Sequence, residues 1–227
     1  MSSASHIVLT GWILGTLVGM RHALEPDHLA AVSTLMTERR HSRAGAIMLG
    51  ACWGFGHSLA LLVVGMLLAG LHAELPPRLA LAFEAAVVVM LIGLGVKALR
   101  SAFRGPLSLT QGAHHDHHHD HDHDHRQHRR FAARSIFYGI IHGLAGSGSL
   151  TALVIANLPT LGSRVAYIAL FGMGSMIGMA MLSGLAGLPL SRVRQAGRVM
   201  RLVGAATGVF SISLGLFLAS PIIRQLM

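Results

Sequence analysis

The sequence predicts an all-α polytopic membrane protein with six transmembrane helices. Of its 227 residues, 52% are hydrophobic and only 12% are charged, whereas a soluble domain has about a quarter charged residues. Several apolar runs reach the roughly 20 residues that a helix needs to cross a bilayer core. The 27 glycines fit the same class, because small residues let membrane helices approach closely.

The apolar segments define the predicted spans. They cover residues 7–36 (interrupted), 45–71, 78–101, 135–157, 160–188 and 199–220. As one straight helix, the first would be about 45 Å long, against a hydrocarbon core of about 30 Å. We therefore expect a break within it. Because the N-terminus lacks the basic region of a cleaved signal peptide, the first segment is predicted to be retained as a span.

Basic residues concentrate in alternate loops. The loops after the first, third and fifth spans, with their flanks, hold three, seven and four Lys or Arg residues, against Arg78, Arg164 and Arg224 on the other side. Since cytoplasmic loops are enriched in Lys and Arg, we predict that these three loops lie in the cytoplasm, beneath the cell (inner) membrane, with both termini outside. The same distribution accounts for the net charge of +9 without a nucleic-acid partner. The single cysteine, Cys52, excludes an intramolecular disulfide framework.

The two halves of the chain resemble each other. GMRHALEPDHLAAV at 19–32 is similar to GIIHGLAGSGSLTAL at 139–153, and WGFGHSL at 53–59 is similar to FGMGSMI at 171–177. Three spans per half is an odd number, so the halves must have opposite orientations, as in the inverted repeats of secondary transporters. We therefore predict two inverted three-helix repeats, residues 1–102 and 135–227, joined by a loop at 103–134.

Ionisable side chains interrupt the first span. His22, Glu25, Asp27 and His28 lie close to Pro26, and such groups inside a membrane are costly and usually face a cavity or pathway. On a straight helix His22 and His28 would point about 240° apart. Because a proline removes a backbone donor and clashes with the preceding turn, we expect the helix to break near Pro26 and to bring His22, Asp27 and His28 together, with Glu25 along the pathway. Imidazoles with one carboxylate suit Ni²⁺, Co²⁺, Zn²⁺ or Cu²⁺, whereas Mg²⁺ and Ca²⁺ prefer all-oxygen sites.

Three further ionisable residues lie in the later spans. His57 is the next candidate metal ligand, and Gly54 and Gly56 beside it would let the second span lie close to the broken helix. Glu84 and His142 are predicted to be additional groups along the pathway. For each of these three residues, the alternative interpretation is a buried side chain paired with a neighbour.

The pattern His22-x4-Asp27-His28, with RHA before it and HLAAVST after it, resembles the signature of the nickel/cobalt transporter (NiCoT) family. The stretch LEPDHLAAVST is most similar to the sequences of the shorter branch, which is related to urease-associated nickel permeases. The GHS around His57 resembles the second motif of the family. The resemblance implies that His22, Asp27, His28 and His57 select and pass a metal ion. The family motif has small residues at the positions where this chain has Glu25 and Pro26, so the preferred metal is left open.

A histidine-rich tract divides the two halves. Residues 114–128 read HHDHHHDHDHDHRQH, which is too polar to form a packed core and is typical of a disordered segment that binds metal ions loosely. The sequence leaves open whether this predicted cytoplasmic loop stores, delivers or senses the metal. Its accessory metal-binding residues are His114, His115, His117, His118, His119, His121, His123, His125 and His128.

The chain is predicted to be a transporter and not an enzyme, with Ni²⁺ or Co²⁺ as cargo and with no resident cofactor. It has no G-x-x-x-x-G-K-[ST] motif for binding ATP, and an inside-negative potential of 100 mV already favours entry of a dication by about 4.6 kcal/mol. We expect uptake into the cytoplasm. The alternatives are an exporter that uses proton or ion exchange and a membrane subunit or sensor that needs an ATPase partner. The lipid bilayer is a further expected partner, a cytoplasmic metallochaperone is a candidate one, and the oligomeric state is open.

Overall fold

A computed structural model describes residues 3–38, 42–71, 73, 75–104, 131–146, 154, 158, 160–193 and 197–226, with no account of the side chains at 3–11, 38, 69, 104, 188–193 and 226. Helices are the regular secondary structure within these ranges, and short turns and loops connect them. The helices are α1 (Ser3–His22), α2 (Pro26–Glu38), α3 (Arg43–Leu71), α4 (Pro77–Arg104), α5 (residues 131–146), α6 (Leu161–Val193) and α7 (Gly197–Leu226).

Four of the described helices are long and apolar enough to cross a membrane. They correspond to the predicted second, third, fifth and sixth spans and cover Arg43–Leu68, Pro77–Phe103, Leu161–Gly187 and Gly197–Gln225. The all-α prediction is confirmed for the described residues, and the architecture is that of a polytopic membrane protein. Six crossings remain a prediction, because neither α1 nor α2 of the first predicted span is among these four helices, and the fourth predicted span includes residues outside the described ranges. The histidine-rich tract also lies outside them.

The first predicted span is divided in two, as the position of Pro26 predicts. Helix α1 ends at His22. In the turn that follows, the backbone N–H of Leu24 donates to the carbonyl of Arg21, and the N–H of Glu25 donates to the carbonyl of His22. Helix α2 then begins with Pro26 as its first residue, where the missing N–H is harmless and the fixed φ suits a helix. The proline therefore starts a new helix after a tight turn.

Close helix crossings at glycines fix the directions of the helices. A Cβ at Gly19 would overlap the carbonyl of Phe171, and one at Gly139 would overlap the carbonyl of Trp53, so α1 packs against α6 and α5 against α3 at backbone contact. Residue numbers rise together along both of these pairs. Along α3 and α6 they run in opposite directions, and the same holds for α4 and α7, where Gly95 packs against Gly208.

Most of the surface of helix α2 is covered by other helices. It contacts α4, α6 and α7, and Leu29 on its open face is 36% exposed. The buried residues include Ala30, Ala31, Val32, Thr34 and Met36. Small residues predominate on this helix, which permits the close packing. Its N-terminal turn, which contains Asp27 and His28, is thereby held in the interior of the helix bundle.

Helix α7 continues to Leu226, past the predicted end of the sixth span. It contains Pro221, which leaves the carbonyl of Phe217 without its usual N–H donor. The hydroxyl of Ser220 donates to that carbonyl at 2.9 Å. Substitution of a freed backbone bond by a serine hydroxyl is one way in which membrane helices tolerate proline.

Candidate metal site

The break between α1 and α2 places two histidines next to each other. His22 is the last residue of α1, and His28 lies in the first turn of α2. Their ring centroids are 4.7 Å apart. A continuous helix would separate these rings, so the turn at residues 23–25 is what brings them together.

Helices α3 and α5 add two more imidazoles. The centroid of His57 lies 5.2 Å from that of His22 and 5.3 Å from that of His28. The ring of His142 is 4.1 Å from His28 and 6.0 Å from His57. Gly143, beside His142, packs against the backbone of His57. These four residues, His22, His28, His57 and His142, are called the imidazole cluster below.

The glycines beside His57 serve a different contact from the one expected. Gly54 packs against Met176 of α6, and Gly56 packs against Ile136 of α5. The expectation that they bring the second span close to the broken first helix is therefore wrong. His57 is brought into the cluster because α3 is held against α5 and α6.

Carboxylates fix the orientation of three of the imidazoles. Oδ1 of Asp27 lies 3.0 Å from Nδ1 of His28, and Oδ2 lies 3.0 Å from Nε2 of His142. Oε1 of Glu25 lies 3.0 Å from Nδ1 of His22. A histidine that binds metal usually donates its other ring N–H to a carboxylate, which sets the tautomer and the ring orientation. In His22 and His28 these contacts occupy Nδ1 and leave Nε2 for an ion.

Several nitrogens of the cluster are buried without a hydrogen-bond partner in the described part of the chain. They are Nε2 of His28, both ring nitrogens of His57 and Nδ1 of His142. His28 and His57 are completely buried. A buried polar group without a partner costs about 1–3 kcal/mol, so the concentration of four such atoms in one place indicates a site for a ligand that accepts imidazole lone pairs.

The donor atoms form two overlapping sets with the spacing of a metal site. His22, His28 and His57 each offer a nitrogen, and these atoms lie within 4.8 Å of one another. Asp27, His28 and His142 offer a second set within the same limit. Two ligands of one first-row metal ion lie about 3 Å apart when the bonds are near 2 Å, so small side-chain rotations would complete either set.

A cavity of about 590 Å³ leads to the cluster. Glu84 of α4 lines it, as do Glu25 and Asp27, and the described lining contains no Lys or Arg. His57 is not among the lining residues and lies behind the other imidazoles. The cavity is therefore lined by three carboxylates and three imidazoles, a combination that attracts a cation.

The predicted site residues are thus placed together, and their role as metal ligands remains a prediction. The structure adds His142 to the cluster itself. Sequence reasoning did not single out two aromatic neighbours, Phe171 at 5.2 Å from the ring of His22 and Trp53 at 5.9 Å from that of His142. The signal was present, because these two residues begin the matching stretches FGMG and WGFG of the internal repeat. The histidines of the tract at 114–128 lie outside the described residues.

Comparison with known families agrees with this chemistry. Residues 8–219 match the family described as high-affinity nickel-transport protein. The chain belongs to this family. Membership in the nickel-transport family confirms the predicted resemblance and the prediction of a metal transporter that is not an enzyme.

Curated relatives share most of the chain. It is 30% identical over 209 residues to the urease accessory protein UreH of Bacillus sp. (strain TB-90), covering 88% of this chain and 87% of the relative. It is 26% identical to the Arabidopsis thaliana chloroplast protein FOR GROWTH AND FERTILITY 2 and 24% identical to FOR GROWTH AND FERTILITY 1. Those two matches cover 92% and 89% of this chain but only 56% and 57% of the plant proteins. No solved structure matches this member of the nickel-transport family.

Proposed function

We propose that this protein is a secondary transporter that carries Ni²⁺ or Co²⁺ into the cytoplasm, with His22, Asp27, His28 and His57 receiving the ion. The observation that supports this most directly is the group of buried, unpartnered imidazole nitrogens at the break between α1 and α2. Imidazole nitrogens suit borderline transition metals and are poor ligands for Mg²⁺ and Ca²⁺. The ion is therefore selected by the chemistry of its ligands as it loses water.

The proposal includes two inverted halves, residues 1–102 and 135–227, with residues 103–134 between them. Helix contacts recur at a nearly constant offset: Gly19 on Phe171 corresponds to Gly139 on Trp53, and Gly95 on Gly208 corresponds to Gly215 on Val88. The corresponding helices α3 and α6 run in opposite directions, and so do α4 and α7. Secondary transporters built this way bind their substrate where the halves meet, on interrupted helices. The imidazole cluster contains residues from both halves.

The cavity is proposed to open to the outside of the cell membrane. With the Arg-rich loops in the cytoplasm and both termini outside, Leu61, Glu84 and Leu218 fall in the outer parts of α3, α4 and α7, and all three line the cavity. On the opposite side of the cluster, buried apolar residues such as Met36 and Leu49 close the bundle. An ion would enter from outside and meet the carboxylates first.

The membrane potential is sufficient to drive this uptake. Two positive charges gain about 4.6 kcal/mol when they move inward across 100 mV, which corresponds to more than a thousandfold accumulation. No ATP-binding motif is needed, and the sequence has none of the P-loop type. A relative named as a urease accessory protein supports a protein recipient in the cytoplasm, and we propose a metallochaperone as this partner.

Uptake of nickel into liposomes tests the proposal. Purified full-length protein, without nucleotide and with an inside-negative potential, is expected to accumulate Ni²⁺. His57→Ala is expected to reduce the initial rate at least tenfold, because it removes the innermost imidazole. Ser183→Ala is the matched control, since it removes another completely buried polar group outside the cluster and is expected to keep the rate. Equal rates for His57→Ala and the unaltered protein would contradict the assigned site.

The direction of transport is tested in cells. Under the proposal, cells that express the protein contain more nickel or cobalt than cells that express His57→Ala. Lower metal content in the expressing cells would instead establish the exporter.

A further inference from the structure

The cluster offers more donor atoms than one small ion needs. His28 belongs to both sets of candidate ligands, one with His22 and His57 and the other with Asp27 and His142. Each imidazole has two nitrogens on opposite sides of the ring. Nδ1 of His28 faces Asp27, whereas its Nε2 is buried without a partner. One ring thus connects two groups of ligands.

The two sets differ in their position relative to the cavity. Asp27, His28 and His142 all line it. In the other set, His22 and His28 also line the cavity, but the third member, His57, is completely buried and is not among the lining residues. An ion that comes from the cavity therefore reaches the set with Asp27 before the set with His57.

We propose that a transported dication occupies two stations in series, an outer station of Asp27, His28 and His142 and an inner station of His22, His28 and His57. His142 is a ligand of the outer station, contributed by the second half of the chain. The proposal rests on the proposed function and adds the ligand role of His142 and the order of occupation.

The carboxylate has a different role at each station. When the ion is outside, Asp27 supplies a negatively charged oxygen that offsets loss of the hydration shell. After the ion moves inward, the same carboxylate accepts a hydrogen bond from Nδ1 of His28 and orients its Nε2 to the ion. The 3.0 Å contacts of Asp27 with both rings place its carboxylate within reach of both stations.

Co²⁺ is the probe for a binding test, because its visible absorption reports ligand type and geometry. The full chain is titrated as the unaltered protein, His142→Ala, His57→Ala and the double variant. The histidine-rich tract is present in all four, so its contribution cancels in difference spectra. Each single variant retains one station, so we expect the two single variants to give different Co²⁺ spectra. We expect the double variant to give neither spectrum. Identical spectra for His142→Ala and the unaltered protein would overturn the proposal.

A structural role for His142 predicts another outcome in transport. If His142 only donates a hydrogen bond to Asp27, then His142→Asn should restore uptake, since an amide can also donate. If it binds the ion, His142→Asn should remain at least tenfold slower, like His142→Ala, because an amide is a poor substitute for imidazole. Rescue by His142→Asn would overturn the outer station. Lack of nickel uptake by the unaltered protein would instead reject the proposed function.

Discussion

At the scale of single residues, Asp27 joins the two halves of the chain within the site. Its two oxygens contact imidazoles from different halves of the chain, those of His28 and His142, and its position in the first turn of α2 is fixed by the helix break. Glu25 contacts one imidazole, that of His22, and its side chain is 52% exposed. The two carboxylates are therefore expected to differ in their importance for transport.

Asp27→Asn is predicted to reduce nickel uptake by about a hundredfold, the upper end of the range found for groups that orient metal ligands, and Glu25→Gln by less than about tenfold. Asparagine replaces one of the two acceptor oxygens with an amide nitrogen, which cannot accept a hydrogen bond from the second imidazole, and the negative charge is lost as well. Initial uptake rates over a range of Ni²⁺ concentrations provide the measurement. Losses of equal size in the two variants would argue against the distinct role of Asp27.

Residue-level prediction from sequence succeeded where the neighbours are close in the chain. His22, Asp27 and His28 lie in one short stretch with a proline, so a local break was enough to predict their proximity. The contact of Asp27 with His142 joins residues that are 115 positions apart. A lone histidine in an apolar span gives no local signal of such a contact, so its place in the cluster depended on the packing of α5 against α3.

At the scale of helices, glycine contacts determine where the imidazoles lie. Gly139 allows α5 to touch the backbone of α3, three residues before His142 in the chain. Gly93 of α4, by comparison, has no heavy atom within 4 Å of the position that a Cβ would take. The same substitution is thus expected to have opposite effects at these two glycines.

Gly139→Ala is predicted to lower both thermal stability in detergent and nickel uptake, because the added methyl group forces α5 away from Trp53. Gly93→Ala is the matched control and is expected to leave uptake unchanged and to raise helix stability by about 0.5–1 kcal/mol, the usual difference between Gly and Ala in a helix. Melting curves and uptake rates compare the two variants. An unaffected Gly139→Ala would show that the crossing is looser than the structure describes.

The sequence indicated the helices better than their contacts. Apolar length predicted α3, α4, α6 and α7 to within a few residues at their N-terminal ends, and Pro26 predicted the division of the first segment. It did not show that α2 would be buried over most of its surface, because its small residues gain their burial from neighbouring helices that are distant in sequence. The contacts of Gly54 and Gly56 were misassigned for the same reason.

At the scale of the whole molecule, the residues that the structure describes leave the site accessible through the cavity. The cavity reaches the imidazole cluster past Leu218 and Glu84, whereas apolar side chains around Met36 fill the other side. Transport requires this second side to open, and alternating access between two inverted halves would provide the movement. The described arrangement is therefore the outward-facing one under the proposed orientation.

Cysteine labelling can check that orientation, because the chain has a single cysteine to remove. In a Cys52→Ala background, Leu218→Cys is predicted to react with a membrane-impermeant thiol reagent added outside the cell, and Ni²⁺ should slow the reaction. Met36→Cys, which is 1% exposed, is the control and should remain unlabelled from outside. Labelling of Leu218→Cys only from the cytoplasmic side would reverse the assigned orientation.

Under the proposed uptake, the absence of Lys and Arg from the described lining of this cavity favours entry of the free ion over entry of chelated nickel. Nickel held by an anionic chelator such as citrate would meet Glu25, Asp27 and Glu84 as a like-charged complex and would be repelled. The hydrated free ion would be attracted by the same carboxylates. Supply of metal to the cell would then follow the concentration of unchelated ion in the surroundings, even when total nickel is plentiful.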